Sequence, residues 1–218
     1  MTARVVAEGD AFTLYDGADA LTTPAGRRMT LPSDALAQLV AAQDLPRRLA
    51  ATALDRLADN PQPAIADFVS VGANDLLCYR ADEPPALAER QEAQWSPLLD
   101  WARSRFKLSF ETTRDLAPVK QSEATRQRLG ELVRGDSFRL AGLAHGAATL
   151  GSAVLALALA ERHITAEAAH ELAHLDTLFQ IETWGEDDEA RARLEAIAQE
   201  IGHLAAYFFA LHENSAYE

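Results

Sequence analysis

The stretch Leu140-Ala141-Gly142-Leu143-Ala144-His145-Gly146-Ala147-Ala148-Thr149-Leu150-Gly151-Ser152-Ala153-Val154-Leu155-Ala156-Leu157-Ala158-Leu159-Ala160 decides how the chain folds. Its 21 residues hold no formally charged side chain apart from the titratable His145. As a helix, that length would suffice to cross a bilayer. The composition points elsewhere, because the run is rich in Ala, Gly, Ser and Thr, and Arg139, Glu161 and Arg162 close its ends. A helix that is apolar on all sides in a soluble chain belongs at the centre of a bundle, ringed by others. One buried helix is therefore expected over 140–160.

Downstream, the clearest ring helix carries Ala190, Leu194, Ile197, Ile201, Leu204, Phe208 and Leu211 at alternating steps of four and three. Asp187–Arg191 and Glu189–Arg193 are expected as i,i+4 pairs on its exposed side. Glu186-Asp187-Asp188 fall in its first turn, where the helix dipole favours negative charge. Upstream, Leu87, Trp95, Leu98, Ala102 and Phe106 predict an amphipathic helix over 86–106. Residues 107–121 read as an extended excursion, and everything after Ser122 as helical.

The first third has a different character. Val5-Val6 and Phe12-Thr13-Leu14-Tyr15 are short runs of strand formers, with turn signals at Asp16-Gly17 and Pro24-Ala25-Gly26, and Met29-Thr30-Leu31 reads as a further strand. Ser33 is a good N-cap for a helix from Asp34, and two helices are expected near 34–43 and 46–59, before the break at Asn60-Pro61-Gln62-Pro63. The chain changes character again at Asp82-Glu83-Pro84-Pro85. The expected fold class is α+β: a small N-terminal domain of short β-strands and helices (1–84), followed by an all-α helical bundle domain (85–218).

Hydrophobic residues make up 48% of the 218, enough for a proper core. A net charge of −13 argues against nucleic acid, which requires clustered Lys and Arg. The acidity is concentrated at one end, with 13 acids against 3 bases in residues 161–218. Such a surface serves solubility or draws in a basic partner. The single Cys78 lies in the apolar run Leu76-Leu77-Cys78-Tyr79 and reads as a small buried hydrophobe. The N-terminal residues show no signal-peptide pattern, so a cytoplasmic location is expected, without stable membrane insertion.

One string suggests chemistry. His170-Glu171-Leu172-Ala173-His174 matches the zinc-hydrolase pattern, in which two His one helical turn apart hold the metal and the Glu activates water. The longer metzincin pattern would need Gly at 177 and His at 180, where Thr177 and Gln180 stand, and a third ligand from Glu189 or Glu195 is unspecific. The alternative places His170, Glu171 and His174 on a polar face, opposite a buried stripe of Ala168, Leu172, Leu175 and Phe179. No phosphate loop appears, since Gly146 to Gly151 lacks the Lys-Ser/Thr ending. These residues give no catalytic constellation, and neither metal nor cofactor nor small-molecule substrate is expected.

Four segments carry a resemblance: Thr23-Pro24-Ala25-Gly26-Arg27 leading to Leu31-Pro32-Ser33; Asp75-Leu76-Leu77-Cys78-Tyr79-Arg80; Trp95-Ser96-Pro97-Leu98-Leu99-Asp100-Trp101; and Leu175-Asp176-Thr177-Leu178-Phe179-Gln180-Ile181-Glu182-Thr183-Trp184-Gly185. In this order they resemble the assembly chaperone of the ATP synthase catalytic sector, the Atp-twelve family of alphaproteobacteria and mitochondria. The resemblance implies a non-enzymatic protein that binds unassembled alpha subunit and prevents its aggregation until the beta subunit replaces it. Eukaryotic relatives would act in the mitochondrial matrix. A functionally important acid of the family falls on Asp176. With Phe179, Gln180, Glu182, Trp184 and Glu186 it forms the implied partner-binding set. Asp176, Gln180 and Thr183 share a helix face, where Asp176 is expected as an exposed carboxylate, while by pattern Trp184 reads as core packing. The chain departs from the family between Ala42 and Leu49, where the usual longer stretch is reduced to Gln43-Asp44-Leu45-Pro46-Arg47-Arg48.

Overall fold

The computed structural model describes residues 3–115, 117–185 and 187–212. Four short strands form one antiparallel sheet: β1 (Arg4–Glu8), β2 (Ala11–Asp16), β3 (Asp19–Ala20) and β4 (Thr30–Leu31). β2 pairs with all three others, with Val5 opposite Leu14 and Phe12 opposite Leu31. Gly17 makes the turn after β2 at φ +62°, a conformation that glycine adopts without penalty. Asp55 ties down the loop between β3 and β4, taking the Thr23 hydroxyl and the Ala25 N–H, while Asp59 pairs with Arg27.

The sheet leads into α1 (Asp34–Ala42) and α2 (Asp44–Thr52). Ser33 caps α1 as expected, its Oγ accepting from the Leu36 N–H at 3.1 Å. The second helix begins at Asp44, with Pro46 in its first turn, and opens into a π-turn over Ala53–Leu57. The prolines at 61 and 63 do end it, but they also start α3 (Gln62–Ala73), which the reading of that segment as a break left out. Proline is well suited to a helix's first turn, where its missing N–H would have had no partner.

The helical half comprises α4 (Pro85–Phe106), α5 (Glu123–Leu132), α6 (Ser137–Leu150), α7 (Ala153–Ala160), α8 (Ala166–Ala173), α9 (Leu175–Trp184) and α10 (Asp188–His212). The deciding stretch is buried over most of its length, with Ala148 and Gly151 exposed, and it is two helices, not one. α6 ends at Gly151, in the left-handed region at φ +64°, and Ser152 caps α7 by accepting from the Leu155 N–H. Asp75 completes that cap from another segment: its Oδ2 accepts from the Val154 N–H at 3.1 Å and its Oδ1 from the Leu77 N–H. All eight residues of α7 are buried.

The small residues of α6 bring helices into close contact. A Cβ at Gly142 would lie 2.7 Å from the Phe208 ring, and one at Gly146 would lie 2.9 Å from Leu204, both on α10. α10 also packs against α1 and α2, and the Ser33 hydroxyl donates to the Ala210 carbonyl at 3.2 Å. One hydrophobic cluster thus runs from Leu14 to Ala210, past the turn at 82–85 where the sequence changes character. At the start of α10 the charges pair differently from expectation. Arg191 pairs with Asp188, and Asp187 caps the helix by accepting from the Ala190 N–H at 2.7 Å. Cys78 is buried, and that burial pushes its thiol well up, as befits an unreactive core residue. Among the described residues no helix is long and apolar enough to cross a membrane.

Candidate functional site

α8 and α9 form a bent pair. The bend falls at His174, where α8 ends and α9 begins, so the His170–His174 string does not lie on one uninterrupted helix. The two imidazole centroids lie 4.6 Å apart, and both rings are half-buried rather than set on a polar face. Burial, and after it His174, lowers the His170 pKa. Ala169 and Leu175 are the buried residues of the pair, while Ala168, Leu172 and Phe179 are only partly covered, so the expected buried stripe is rotated. Among the described residues no group of three or more His, Cys, Asp or Glu side chains could hold a metal.

α4 runs alongside this bent pair and is bonded to it at three levels. Trp95, buried, donates its Nε1–H to the Leu172 carbonyl at 3.0 Å. One turn back, Gln91 is 1% exposed and donates from Nε2 to Asp176 Oδ1 at 2.7 Å. Beside it, Arg90 makes a bidentate pair with Glu182, both distances 2.9 Å, and its guanidinium lies 5.4 Å from the Phe179 ring centroid. That fork lowers the Glu182 pKa and raises that of Arg90.

The six expected partner-binding residues therefore separate by face. Asp176, Phe179 and Glu182 are spaced by three and turn toward α4. Asp176 is half-buried, not a free surface acid, because Gln91 holds it. Gln180 is exposed, and the Thr183 hydroxyl is used locally on the Phe179 carbonyl. Trp184 is 78% exposed, which overturns its reading as core packing. Gly185 ends α9 at φ +90°, turning the chain away immediately after the indole. Glu186 lies outside the described residues. Between α4 and the bent pair runs an open groove of about 440 Å³, floored by Leu175, Leu178 and Ile181 and rimmed by Arg90, Glu171 and Glu182.

Arg80, Arg90, Gln91 and Trp95 were not expected in this region. One signal was present: on the α4 stripe Leu87, Trp95, Leu98, Ala102, Phe106, the helical step between Leu87 and Trp95 falls on Gln91. An amide at a core position needs partners there.

Residues 3–103 match the family described as ATP12 chaperone protein. Over the full fold, the chain is similar to Atp12 from Paracoccus denitrificans, with a TM-score of 0.88 and 29% identity over 96% of each chain. A variant of Atp12p from the same organism, with one Asp replaced by Lys, gives a TM-score of 0.88 at 28% identity, over 96% of this chain and 95% of that one. A candidate chaperone from Agrobacterium tumefaciens is 33% identical over 95% of this chain and 82% of its own, with a TM-score of 0.84. The chain belongs to the ATP12 chaperone family. In this ATP12 chaperone the family match ends within α4, and the structural similarity extends over the α8–α10 region as well. The seam between α4 and α9 thus joins a segment inside the family match to one beyond it.

Proposed function

We propose that this ATP12-type chaperone binds the unassembled alpha subunit of ATP synthase and shields it from aggregation before incorporation into the catalytic hexamer. The helical unit from residue 85 onward carries the binding surface, and the α+β unit 1–84 braces it. The observation that carries this reading is Trp184. Among the described residues only it and Phe209 are large exposed hydrophobics, and Trp184 lies two residues past Glu182 of the groove rim, shortly before an acidic helix start. Exposed indoles next to charge are a feature of interaction sites, because a partner gains large contact area at little entropic cost. Shielding an unassembled interface needs complementary surface and no bond-making chemistry, so neither cofactor nor substrate enters the proposal. The bacterial cytoplasm, where subunits are synthesised, is the proposed place of action.

Light scattering of isolated alpha subunit tests this directly. With the chaperone in molar excess, scattering on dilution from denaturant is expected to be suppressed. Trp184→Ser and Asp176→Lys are each expected to reduce that protection while the helical circular dichroism stays at the wild-type level. Wild-type chaperone that gives no protection at molar excess would sink the proposal.

A further inference from the structure

We propose that Gln91 is the positioning residue for the Asp176 carboxylate, setting which oxygen faces inward and which is presented to the partner. The inference rests on the reading that Asp176 belongs to the partner-binding surface. Gln91 is held at three points. Its Oε1 accepts from the Ala81 N–H at 2.6 Å, its Nε2 donates to Asp176 Oδ1 at 2.7 Å, and its carbonyl accepts from Arg80 Nη1 at 2.6 Å. A side-chain amide can be turned over by half a rotation, exchanging donor and acceptor. Here the Ala81 N–H fixes the choice, because it requires an acceptor, so the NH₂ must face α9. A carboxylate can only accept, and Asp176 receives that NH₂ on one oxygen.

The anchor behind this amide is firm. Arg80 is 8% exposed and lies 5.3 Å from the Trp95 ring centroid, with a second hydrogen bond to Ser96 Oγ. Gln91 therefore cannot follow Asp176 if α9 shifts, and the carboxylate is directed from a rigid base. Oδ1 is occupied by Gln91, and Asp176 remains half-buried rather than enclosed, which leaves Oδ2 as the atom to meet a cation of the partner.

Two measurements on the full chain test this. In the free protein, the Gln91 side-chain amide protons are expected to exchange slowly, and their NMR signals to move on Asp176→Ala. Signals that stay unmoved would show that the contact is absent and overturn the proposal whatever the partner does. Against alpha subunit, Gln91→Glu keeps the acceptor for Ala81 but sets a carboxylate against Asp176, and Gln91→Leu removes the donor. Each is expected to weaken protection by roughly tenfold or more, the scale of a hydrogen bond to a charged group. The exchanged pair Gln91→Glu with Asp176→Asn rebuilds the same hydrogen bond with its polarity reversed. It is expected to restore the thermal midpoint while protection stays lost, because the charge no longer stands at 176. Recovery of protection in the exchanged pair would show that the contact serves the fold alone, and the positioning role would fall. Wild-type chaperone without any effect on alpha subunit would instead sink the function reading, and the amide measurement would still decide the contact.

Discussion

Asp75 is fully buried, and four groups hydrogen-bond to it: the Ser152 side chain and the N–H groups of Val154, Leu77 and Ala153. Burial acts against its charge more strongly than these bonds favour it, pushing its pKa from 3.8 up to about 6. The folded state thus holds the proton more tightly than the unfolded chain. Stability from this group is complete below about pH 4 and is lost as the pH rises through 6. A shift of this size corresponds to about 3 kcal/mol. Asp75→Asn cannot ionise, so the difference in unfolding free energy between wild type and variant is expected to shrink by about that amount between pH 4 and 7, read from denaturant titrations. A difference that stays constant with pH would show that the carboxyl does not titrate there. At Trp184 a different outcome is expected: with the side chain 78% in water, Trp184→Ser should leave the thermal midpoint unchanged.

At the scale of the element, α6 depends on what it lacks. A methyl added at Gly142 would meet the Phe208 ring at 2.7 Å, so Gly142→Ala is expected to cost about 1–3 kcal/mol despite alanine's better helix propensity. The midpoint should fall by about 2–4 °C per kcal/mol in a calorimetric scan. An unchanged or raised midpoint would mean that α6 and α10 are less tightly packed than the distance implies. The α10 stripe, the α4 stripe and the Ser33 cap were legible in the sequence, because each is a local pattern of spacing or capping. The division of 140–160 was harder to read, since Gly151-Ser152 sits amid residues that suit either outcome, and the decisive carboxylate comes from Asp75. The same holds for the candidate site. Asp176 could be named from its segment, but the Gln91 that holds it is 85 residues away in the chain. By pattern Trp184 reads as core because aromatic residues usually are, whereas in the fold it is the last residue of α9 and 78% exposed.

For the whole molecule, charge is unevenly distributed, with most of the net −13 carried by the residues after 160. A surface of one sign speeds the approach of an oppositely charged partner, and salt screens that effect over about 8 Å at physiological ionic strength. Association with alpha subunit is therefore expected to slow as salt is raised from 50 to 500 mM, with dissociation changing less, as stopped-flow fluorescence of Trp184 would report. A salt-independent association rate would assign the acidity to solubility alone. The contact between the Ser33 hydroxyl and the Ala210 carbonyl has a consequence for how such a molecule comes into being. Ser33, which caps α1, and Ala210 on α10 are 177 residues apart in the chain. On the ribosome, the strands and first helices emerge with an apolar flank that stays bare until α10 has been made. A chaperone of this fold is thus itself open to aggregation during its own synthesis until α10 is in place.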